Sequence, residues 1–183
     1  MRGTGAISEV TAAGLGLVGV AARASGLDVD TRRDHPYGAY RYITVGPRLD
    51  TARDATEHEV EMATRRGDVM ARFETRVEEV VNSARIIGDV LGDLASEREL
   101  SVPLPREALR PFAHALGYAE SHRGETVHWL MLGEEPGTLF RYKVRTASFA
   151  NWPAIETAVL NDIVADFPLV NKSLDLSYAG NDL

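Results

Sequence analysis

The sequence predicts an α+β fold in which one long bundle helix accompanies a small antiparallel β-hairpin sheet. Between Asp68 and Leu94 an apolar residue recurs every three or four positions, which is the period of a helix with one apolar face. Two strand-like runs, Thr126–Leu132 and Leu139–Thr146, flank Gly133–Thr138, and the glycines and proline of that segment favour a hairpin loop. The chain has 183 residues, of which 44% are hydrophobic, so we expect one core and one domain.

The first helix is predicted to begin after Ser8, a favourable N-cap residue that is followed by the acidic Glu9, and to end near Gly14. From Gly14 to Asp50 the glycines, prolines and scattered aromatics predict mostly irregular chain. Residues 14–19 match the pattern G-x-G-x-x-G, yet a dinucleotide site needs a strand before this pattern and a helix after it. Because a helix is predicted before the match, a dinucleotide site is not expected here.

The predicted long helix needs a partner for its apolar stripe. At 1.5 Å of rise per residue it forms a rod of roughly 40 Å, and no second helix of matching length is predicted in the chain. The bundle to which this helix belongs is therefore expected to be incomplete. The apolar stripe consists of Met70, Phe73, Val77, Val80, Val81, Ala84, Ile87, Leu91 and Leu94. The charged residues expected to cover the opposite side are Arg72, Glu74, Arg76, Glu78 and Glu79.

Shorter elements are predicted on either side of the hairpin. A short helix is expected from Glu107 to Leu116, with Gly117 as the residue that ends it. After the hairpin, Pro153 can occupy the first turn of a helix through about Val164, which Pro168 prevents from continuing. The tail from Asn171 to Leu183 is polar.

The composition excludes several classes of function. The formal net charge is −7 and no basic face is visible, so nucleic acid is not expected as a partner. The chain has no cysteine, which excludes thiolate-bound nickel or zinc and iron–sulfur ligation by this chain. The histidines, which show no metal-ligand spacing, are His35, His58, His114, His122 and His128. The apolar stretch Val10–Ala22 is too short and too rich in glycine to span a bilayer, so any membrane association is expected to come through partner subunits.

Five segments, in order along the chain, resemble one family of proteins. They are Arg2–Ser8, Arg23–Gly26 together with Asp30–Tyr37, Gly67–Phe73, Glu120–Trp129 and Arg145–Pro153. Together they resemble the C-terminal part of the [NiFe]-hydrogenase large subunit and of the related D-type subunit of NADH-quinone oxidoreductase (complex I), which form one superfamily. The resemblance covers residues 1–183 and implies a partial hydrogenase-large-subunit-like domain whose N-terminal half is absent. The short connection from Leu94 to Gly117 is more similar to the energy-converting hydrogenase branch than to complex I proper.

The resemblance also implies that a metal site has been lost. Hydrogenases of this family end in a Cys-x-x-Cys that supplies two nickel ligands, and Ser177 and Gly180 occupy the matching positions here. Serine is a poor nickel ligand at neutral pH and glycine has no side chain to donate, so no [NiFe] cluster is expected. The other cysteine pair of the family would lie in the absent N-terminal half. The tail from Asn171 to Asp182 is expected either to close the empty cavity with side-chain hydrogen bonds or to be an ordinary buried C-terminus.

Arg123, Glu125 and His128 are the candidate functional residues. By resemblance, Arg123 matches an arginine beside the hydrogenase metal site, where it would present a fixed positive charge. The alternative, which we favour, is a structural ion pair of Arg123 with Glu120 or Glu125. Glu125 and His128 are candidates for a proton relay, since histidine titrates near neutral pH. The simpler interpretation, also favoured, makes His128 an ordinary strand residue.

The resemblance implies a subunit of a membrane-associated, respiratory NADH-quinone-oxidoreductase-like or hydrogenase-related complex, and a chain that is not catalytic alone. The partners it implies are a small iron–sulfur subunit, antiporter-like membrane subunits and the missing N-terminal half, at the cytoplasmic face of the membrane. Quinone and NADH would bind at the level of the complex, and this chain itself would bind no cofactor. Two alternatives stay open. One is the large subunit of a true energy-converting [NiFe] hydrogenase, which the missing cysteines disfavour, and the other is a non-enzymatic scaffold or truncated remnant.

Overall fold

The computed structural model describes residues 1–46, 57, 64–94, 101 and 109–182 of the chain. Its α-helices are α1 (Glu9–Leu15), α2 (Gly19–Ala24), α3 (Thr31–Asp34), α4 (Val69–Leu94), α5 (Ala147–Asn151), α6 (Ala154–Ala158), α7 (Phe167–Leu174) and α8 (Tyr178–Asn181). Its strands are β1 (His114–Ser121), β2 (Gly124–Leu132) and β3 (Leu139–Arg145). Single 3₁₀ turns occupy Gly38–Arg41 and Val164–Asp166. The predicted class is confirmed: one long helix accompanies a small antiparallel sheet in an α+β fold.

The N-terminal helices are more extensive than the sequence predicted. Helix α1 begins as expected, because the Ser8 Oγ accepts a hydrogen bond from the backbone N–H of Thr11. The prediction of mostly irregular chain after Gly14 was wrong over residues 19–24, since α2 is helical and buried along its whole length. Small side chains explain this, because alanine and glycine let α2 approach its neighbours closely on every side. Asp30 then caps α3 by accepting from the N–H of Arg32. Residues 47–50 of the predicted irregular run lie outside the described part of the chain.

The hydrophobic core lies where α1, α2, α6, α7 and the first turn of α4 meet. Its buried members are Ile7, Ala12, Leu17, Ala21, Ala22, Val69, Ala154, Ala158, Val170 and Leu174. Half of these residues are alanines, so the helices approach each other closely and each polar backbone group needs a nearby partner.

Helix α4 has the predicted length but buries a different face from the one predicted. Its first turn is capped by Asp68, whose Oδ1 accepts from the N–H of Ala71. The residues of its predicted apolar stripe that lie exposed are Phe73, Val77, Val80, Val81, Ala84, Ile87, Leu91 and Leu94. The prediction that Arg72 covers the solvent side was wrong, because Arg72 is fully buried. In the described residues, the most deeply buried side chains of this helix lie in its N-terminal third, Ile86 is buried further along, and the apolar stripe has no cover.

Arg72 holds the N-terminal turn of the chain against α4 and α7. It donates to the carbonyl of Gly67 at 2.6 Å, to the carbonyl of Gly5 at 3.0 Å and to the Ser173 hydroxyl at 2.9 Å. Burial, together with the nearby charge of Arg76, lowers the pKa of Arg72 to about 10. Among the described residues no carboxylate lies at ion-pair distance from Arg72, so the buried cation is stabilised by hydrogen bonds to neutral oxygens.

The sheet has the order β1-β2-β3, with both neighbouring pairs antiparallel. Strands β2 and β3 confirm the predicted hairpin within two residues at each end. The predicted helix Glu107–Leu116 was wrong over its described residues, because His114–Ser121 forms β1 and residues 109–113 contain no helix. Strand pairing explains why β1 forms in place of the predicted helix. Leu116 lies opposite Trp129, and such cross-strand contacts outweigh a weak local preference for helix. Residues 107 and 108 lie outside the described part of the chain.

The C-terminal helices divide differently from the prediction. The helix predicted to run from Pro153 to about Val164 was wrong in length, because α6 ends at Ala158 and a 3₁₀ turn follows a few residues later. Pro168 lies in the first turn of α7, where its missing N–H costs nothing, so it begins a helix as well as ending the previous segment. Within the described residues, no helix is both long enough and apolar enough to cross a bilayer.

Candidate functional site

The turn between β1 and β2 lies directly against the start of α2. A Cβ placed on Gly19 would lie 2.2 Å from the Cα of Gly124, a distance that no side chain tolerates. Both glycines also have positive φ, +62° at Gly19 and +132° at Gly124, which suits residues without a side chain. This close approach of two backbones brings Glu120, Arg123 and Glu125 next to the helices of the core.

Arg123 contacts neither of its predicted ion-pair partners. Its Nε donates to the carbonyl oxygen of Asp175, and the same nitrogen lies 3.7 Å from a carboxylate oxygen of Asp175. The predicted pairs with Glu120 and Glu125 were therefore wrong, because those carboxylates face Arg23 and Arg145 instead. Arg123 is about one-quarter exposed and fastens the β1–β2 turn to the end of α7.

The C-terminal turn around Ser177 and Gly180 is closed by hydrogen bonds. The Ser177 Oγ accepts from the N–H of Gly180 at 3.1 Å, which caps α8. The Ser177 N–H donates to the Ser148 hydroxyl at 3.0 Å, and the Thr146 hydroxyl donates to the Gly180 carbonyl. These polar groups of the turn, which could otherwise face a ligand, are thus engaged within the chain.

Residues 145–153 are mainly structural in this geometry. The Thr146 hydroxyl caps α5 by accepting from the N–H of Phe149. The buried side chain of Asn151 accepts from the N–H of Val18 at 2.8 Å and donates to the Val18 carbonyl at 3.0 Å. These contacts fix the start of α2 against α5, and with it the turn that carries Arg123.

Glu125 and His128 are not brought together. They lie three positions apart in β2, and side chains alternate between the two faces of a strand, so they belong to opposite faces. The Nδ1 of His128 lies 2.5 Å from the hydroxyl of Tyr142, and the two rings are stacked. Glu125 accepts from the Thr31 hydroxyl and from Arg145. A direct relay between Glu125 and His128 has no geometric support, and His128 is placed as an ordinary strand residue.

A buried charged cluster centred on Arg23 is the most concentrated group of ionisable side chains among the described residues. Arg23 donates through Nε to Glu79 at 2.9 Å and through Nη1 to Glu120 at 3.0 Å. Its Nη1 also lies 3.6 Å from Asp30, which in turn forms a 2.6 Å pair with Arg32. The side chains of Arg23, Asp30 and Glu120 are 10%, 8% and 3% exposed. We call these five residues, Arg23, Asp30, Arg32, Glu79 and Glu120, the Arg23 cluster.

Burial and charge act in opposite directions inside the Arg23 cluster. Burial would lower the pKa of Arg23, but the three carboxylates around it outweigh burial and raise that pKa. Burial raises the pKa of Asp30, yet the hydrogen bond and charge of Arg32, together with Arg23, reverse this and lower it. For Glu120, burial outweighs the attraction of Arg23 and the pKa is raised. The pKa values of two neighbouring carboxylic acids, Asp30 and Glu120, are thus shifted in opposite directions.

Two cavities meet at this cluster. The larger one, about 640 Å³, is lined by Arg23, Asp30, Arg32, Glu79 and Asn82 among others. The smaller one, about 250 Å³, is lined by Gly19, Thr31, His35, Glu120 and Glu125 among others. This arrangement was not predicted from the sequence, although charged residues at 23, 30 and 32 within a run of small side chains were a signal for it. Among the described residues there is no group of three or more side chains placed to hold a metal ion.

A family model matches the chain over residues 1–111, which is more than half of its length. That model describes the 49 kDa subunit of the respiratory-chain NADH dehydrogenase. The chain belongs to this family. The resemblance inferred from the sequence motifs is therefore confirmed, and the matched range contains the long helix α4 and the first three segments that carried the resemblance.

Curated relatives support the assignment to the 49 kDa subunit family. The chain is 32% identical to formate hydrogenlyase subunit 5 of Escherichia coli, over 98% of this chain and 28% of the relative. It is 35% identical to hydrogenase-4 component G of the same organism, over 84% of this chain and 24% of the relative. It is 33% identical to a D-type subunit of the NADH-quinone oxidoreductase of Streptomyces griseus, over 94% of this chain and 41% of the relative. The chain thus spans between a quarter and two-fifths of the length of these relatives.

A solved structure supports the fold. A chain in the structure of the membrane-bound sulfane sulfur reductase, an archaeal respiratory membrane complex, superposes with a TM-score of 0.79. The superposition covers all of the present chain and 46% of that chain, at 23% sequence identity. At this identity the match shows the fold and no more. It supports the α+β fold described above.

Proposed function

We propose that this chain is part of a large subunit in a membrane-associated complex that is NADH-quinone-oxidoreductase-like or hydrogenase-related, and that it holds no nickel–iron cluster. Membership of the 49 kDa family supports the first statement, and the names of the relatives divide between NADH-quinone oxidoreductases and hydrogenases. The closed turn at Ser177 and Gly180 is the observation that supports the second statement, the lack of a nickel–iron cluster. By this proposal the chain serves an oxidoreductase but does not catalyse a reaction alone.

The residues at the C-terminal turn do not fit a nickel–iron group. The Ser177 Oγ already accepts a hydrogen bond from Gly180, and it is a hard oxygen donor where the family's hydrogenases use a soft thiolate. Gly180 offers no side chain, and its carbonyl is occupied by Thr146. Arg123 is held by Asp175 rather than extended towards this turn. This donor set favours the complex I-like member of the proposed pair over a true energy-converting hydrogenase.

Helix α4 supports the statement that the chain works within a larger assembly. Seven large apolar residues of one stripe are exposed on a single helix of 26 residues. A stable soluble protein rarely leaves so extended an apolar surface uncovered, because each residue loses the free energy of burial. We propose that other helices of the large subunit cover this stripe, from the part of the longer relatives that this chain does not span.

The remaining partners follow from the same proposal. We infer a small iron–sulfur subunit and antiporter-like membrane subunits, with the chain peripheral on the cytoplasmic face of the membrane. Quinone and NADH are then ligands of the complex, bound outside the residues described here. The cysteine-free composition of the chain supports this division, since iron–sulfur clusters are held by cysteine thiolates.

A tagged pull-down from detergent-solubilised membranes tests the proposal. The expected result is co-purification of antiporter-like membrane subunits and an iron–sulfur subunit, with no nickel by elemental analysis. Stoichiometric nickel together with hydrogen turnover would instead establish a hydrogenase. Recovery of the chain alone from the soluble fraction would support the scaffold or remnant and contradict the proposal. A variant with Val80→Glu and Ile87→Glu on the exposed stripe is expected to lose the partners, whereas Glu134→Gln in the β2–β3 loop keeps them.

A further inference from the structure

We propose that Glu120 is a proton-binding site which opens to the smaller cavity and controls the ion pairs of Arg23. Protonation transfers one proton from a hydronium ion in the cavity water to a carboxylate oxygen of Glu120 and leaves a neutral water molecule, so no other reactant is needed. The site is independent of the electron donor and acceptor of the proposed complex. It rests on the charge balance of the Arg23 cluster, on burial and on the position of Glu120 at the cavity wall.

The charges of the Arg23 cluster do not cancel. Two guanidinium groups, those of Arg23 and Arg32, face the carboxylates of Asp30, Glu79 and Glu120. With every group ionised, the cluster carries a net charge of −1 in a place that is largely closed to solvent. An uncompensated buried charge is costly, and the usual response of a protein is to bind or release one proton. One of the three carboxylates is therefore the expected acceptor.

Glu120 is the carboxylate best placed to accept the proton. Its side chain is the least exposed of the three, at 3%, against 8% for Asp30 and 21% for Glu79. Asp30 is stabilised as an anion by a two-point hydrogen bond from Arg32 and by Arg23 nearby. Among the described residues, Glu120 forms an ion pair with Arg23, which is already bonded to Glu79, and its further donor is the neutral N–H of Thr31. The raised pKa of Glu120 and the lowered pKa of Asp30 agree with this assignment.

Every element packed against Glu120 contributes a polar or charged group. Arg23 approaches from α2, Thr31 donates its N–H at 3.3 Å from α3, and the Tyr37 hydroxyl accepts from the Glu120 N–H. Asp30 adds a like charge, and Arg32 adds an opposite one at longer range.

Two further pairs of charged side chains lie at the edge of the Arg23 cluster. Glu79 and its neighbour Arg76 belong to α4, and Glu125 and Arg145 belong to the sheet. The smaller cavity adds His35 and Asp34. Within the described residues, Arg76 forms no ion pair inside 4 Å, so it does not neutralise the cluster directly.

The route for the proton is short. Glu120, Thr31 and Glu125 line the same cavity of about 250 Å³, which is large enough for several water molecules. The Thr31 hydroxyl donates to Glu125 at 3.3 Å, and Glu125 is about one-quarter exposed. Water at Glu125 therefore has access to Glu120 without opening the core. Once Glu120 is neutral, the two guanidinium groups face two carboxylates and the cluster is neutral, so the attraction of α2 for β1 weakens while the ion pair between α2 and α4 stays.

Infrared difference spectroscopy between acid and neutral pH tests the proposal on the full chain, purified with any subunits that accompany it. The expected result is a carboxylic-acid C=O band that titrates at higher pH than the exposed glutamates. The band should be present in the wild type and in the control Glu134→Gln, and missing in Glu120→Gln, which mimics the protonated acid. An unchanged spectrum for Glu120→Gln would overturn the proposal.

A second measurement decides the matter if Glu120→Gln does not fold, as judged by circular dichroism. Carbon-13 NMR of the wild type, labelled at the glutamate carboxyl carbon, follows every glutamate through its own titration. One carboxyl that titrates at clearly higher pH than the rest, and that broadens or shifts with Asp30→Asn, supports the site. Titration of every glutamate together in the ordinary range excludes it.

Discussion

Arg123 donates its Nε hydrogen to the backbone carbonyl of Asp175, across the boundary between the sheet and the C-terminal helices. Asp175 has a positive φ of 54°, the left-handed conformation that often ends a helix. Its carbonyl is turned away from α7 by this conformation and is therefore available to Arg123. The residue that the resemblance placed beside a metal instead fixes the end of α7, two residues before Ser177.

The first prediction separates the carbonyl of Asp175 from its carboxylate. Arg123→Ala should lower the free energy of unfolding by about 2 kcal/mol, because it removes a charge-assisted hydrogen bond in a partly buried place. Asp175→Asn keeps the carbonyl and should cost no more than about 0.5 kcal/mol, since an ion pair exposed to solvent contributes little. Urea denaturation of both variants measures this. Equal losses in the two variants would show that the carboxylate, rather than the carbonyl, anchors Arg123.

The second prediction concerns the buried Arg72. Arg72→Met fills a similar volume but leaves the carbonyl of Gly5 without its donor, at about 1–3 kcal/mol, whereas the carbonyl of Gly67 keeps the N–H of Ile7. We expect a loss of about 2 kcal/mol in the free energy of unfolding, measured by urea denaturation. The control Arg66→Met, at an exposed position, should change stability by less than about 0.5 kcal/mol. A loss for Arg72→Met as small as that of the control would contradict the role given to Arg72.

The position of Arg72 shows what the periodicity of α4 could and could not predict. The repeat of apolar residues predicted the helix and its length, because that pattern is a local property of the chain. It did not predict which face is buried within this chain. Arg72 is buried because Gly5, Gly67 and Ser173 supply oxygens from other elements, whereas the apolar stripe is left for the proposed helices of the larger subunit. A sequence pattern shows which positions are polar, but it does not show hydrogen bonds between residues that lie far apart along the chain.

The candidate site was likewise predicted only in its local features and not in its long-range contacts. The motif residues around Arg123 were found from the sequence, but their partners were not, because Asp175 lies 52 positions away along the chain. Strand β1 was missed for a related reason, since Leu116 and Trp129 stabilise each other only after the turn has formed. Glu120 was considered only as a partner for Arg123. Its pairing with Arg23 depends on the approach of Gly19 to Gly124, which no local pattern predicts.

The third prediction is the acid dependence of stability through Asp30. The pKa of Asp30 is lowered in the folded state, so its anion contributes stability above the unfolded pKa, and that stability is lost as the pH falls through the folded pKa. Asp30→Asn can still cap α3 but removes the titration. Its free energy of unfolding should therefore fall less steeply than that of the wild type between neutral and acid pH. Urea denaturation across that range, with Glu134→Gln as control, measures the two slopes; identical slopes would exclude Asp30 as a source.

The fourth prediction concerns Glu120, whose contribution to stability changes with pH in the opposite direction from that of Asp30. Since the pKa of Glu120 is raised in the folded state, its stabilising effect is present below the unfolded pKa and is lost as the pH rises through the folded pKa. Glu120→Gln is neutral at every pH and should show a flatter decline in the free energy of unfolding on that side. Thermal denaturation in a series of buffers of constant ionic strength is a suitable measurement. A steeper decline in the variant would mean that Arg23 holds Glu120 as an anion.

The last prediction concerns the C-terminal turn. Ser177→Ala removes the cap of α8 and should cost about 1 kcal/mol in the free energy of unfolding, whereas Ser83→Ala in the middle of α4 should cost nothing. Restoring the family pattern with Ser177→Cys and Gly180→Cys is sterically tolerable, because a Cβ on Gly180 would approach Ser177 at 3.2–3.3 Å and can be relieved by a small shift. Two thiolates are still only half of the hydrogenase set, so the double variant should retain no nickel after gel filtration, measured by elemental analysis. Stoichiometric nickel in the double variant would contradict this prediction and show that the turn, despite its hydrogen bonds, keeps the geometry of a metal site.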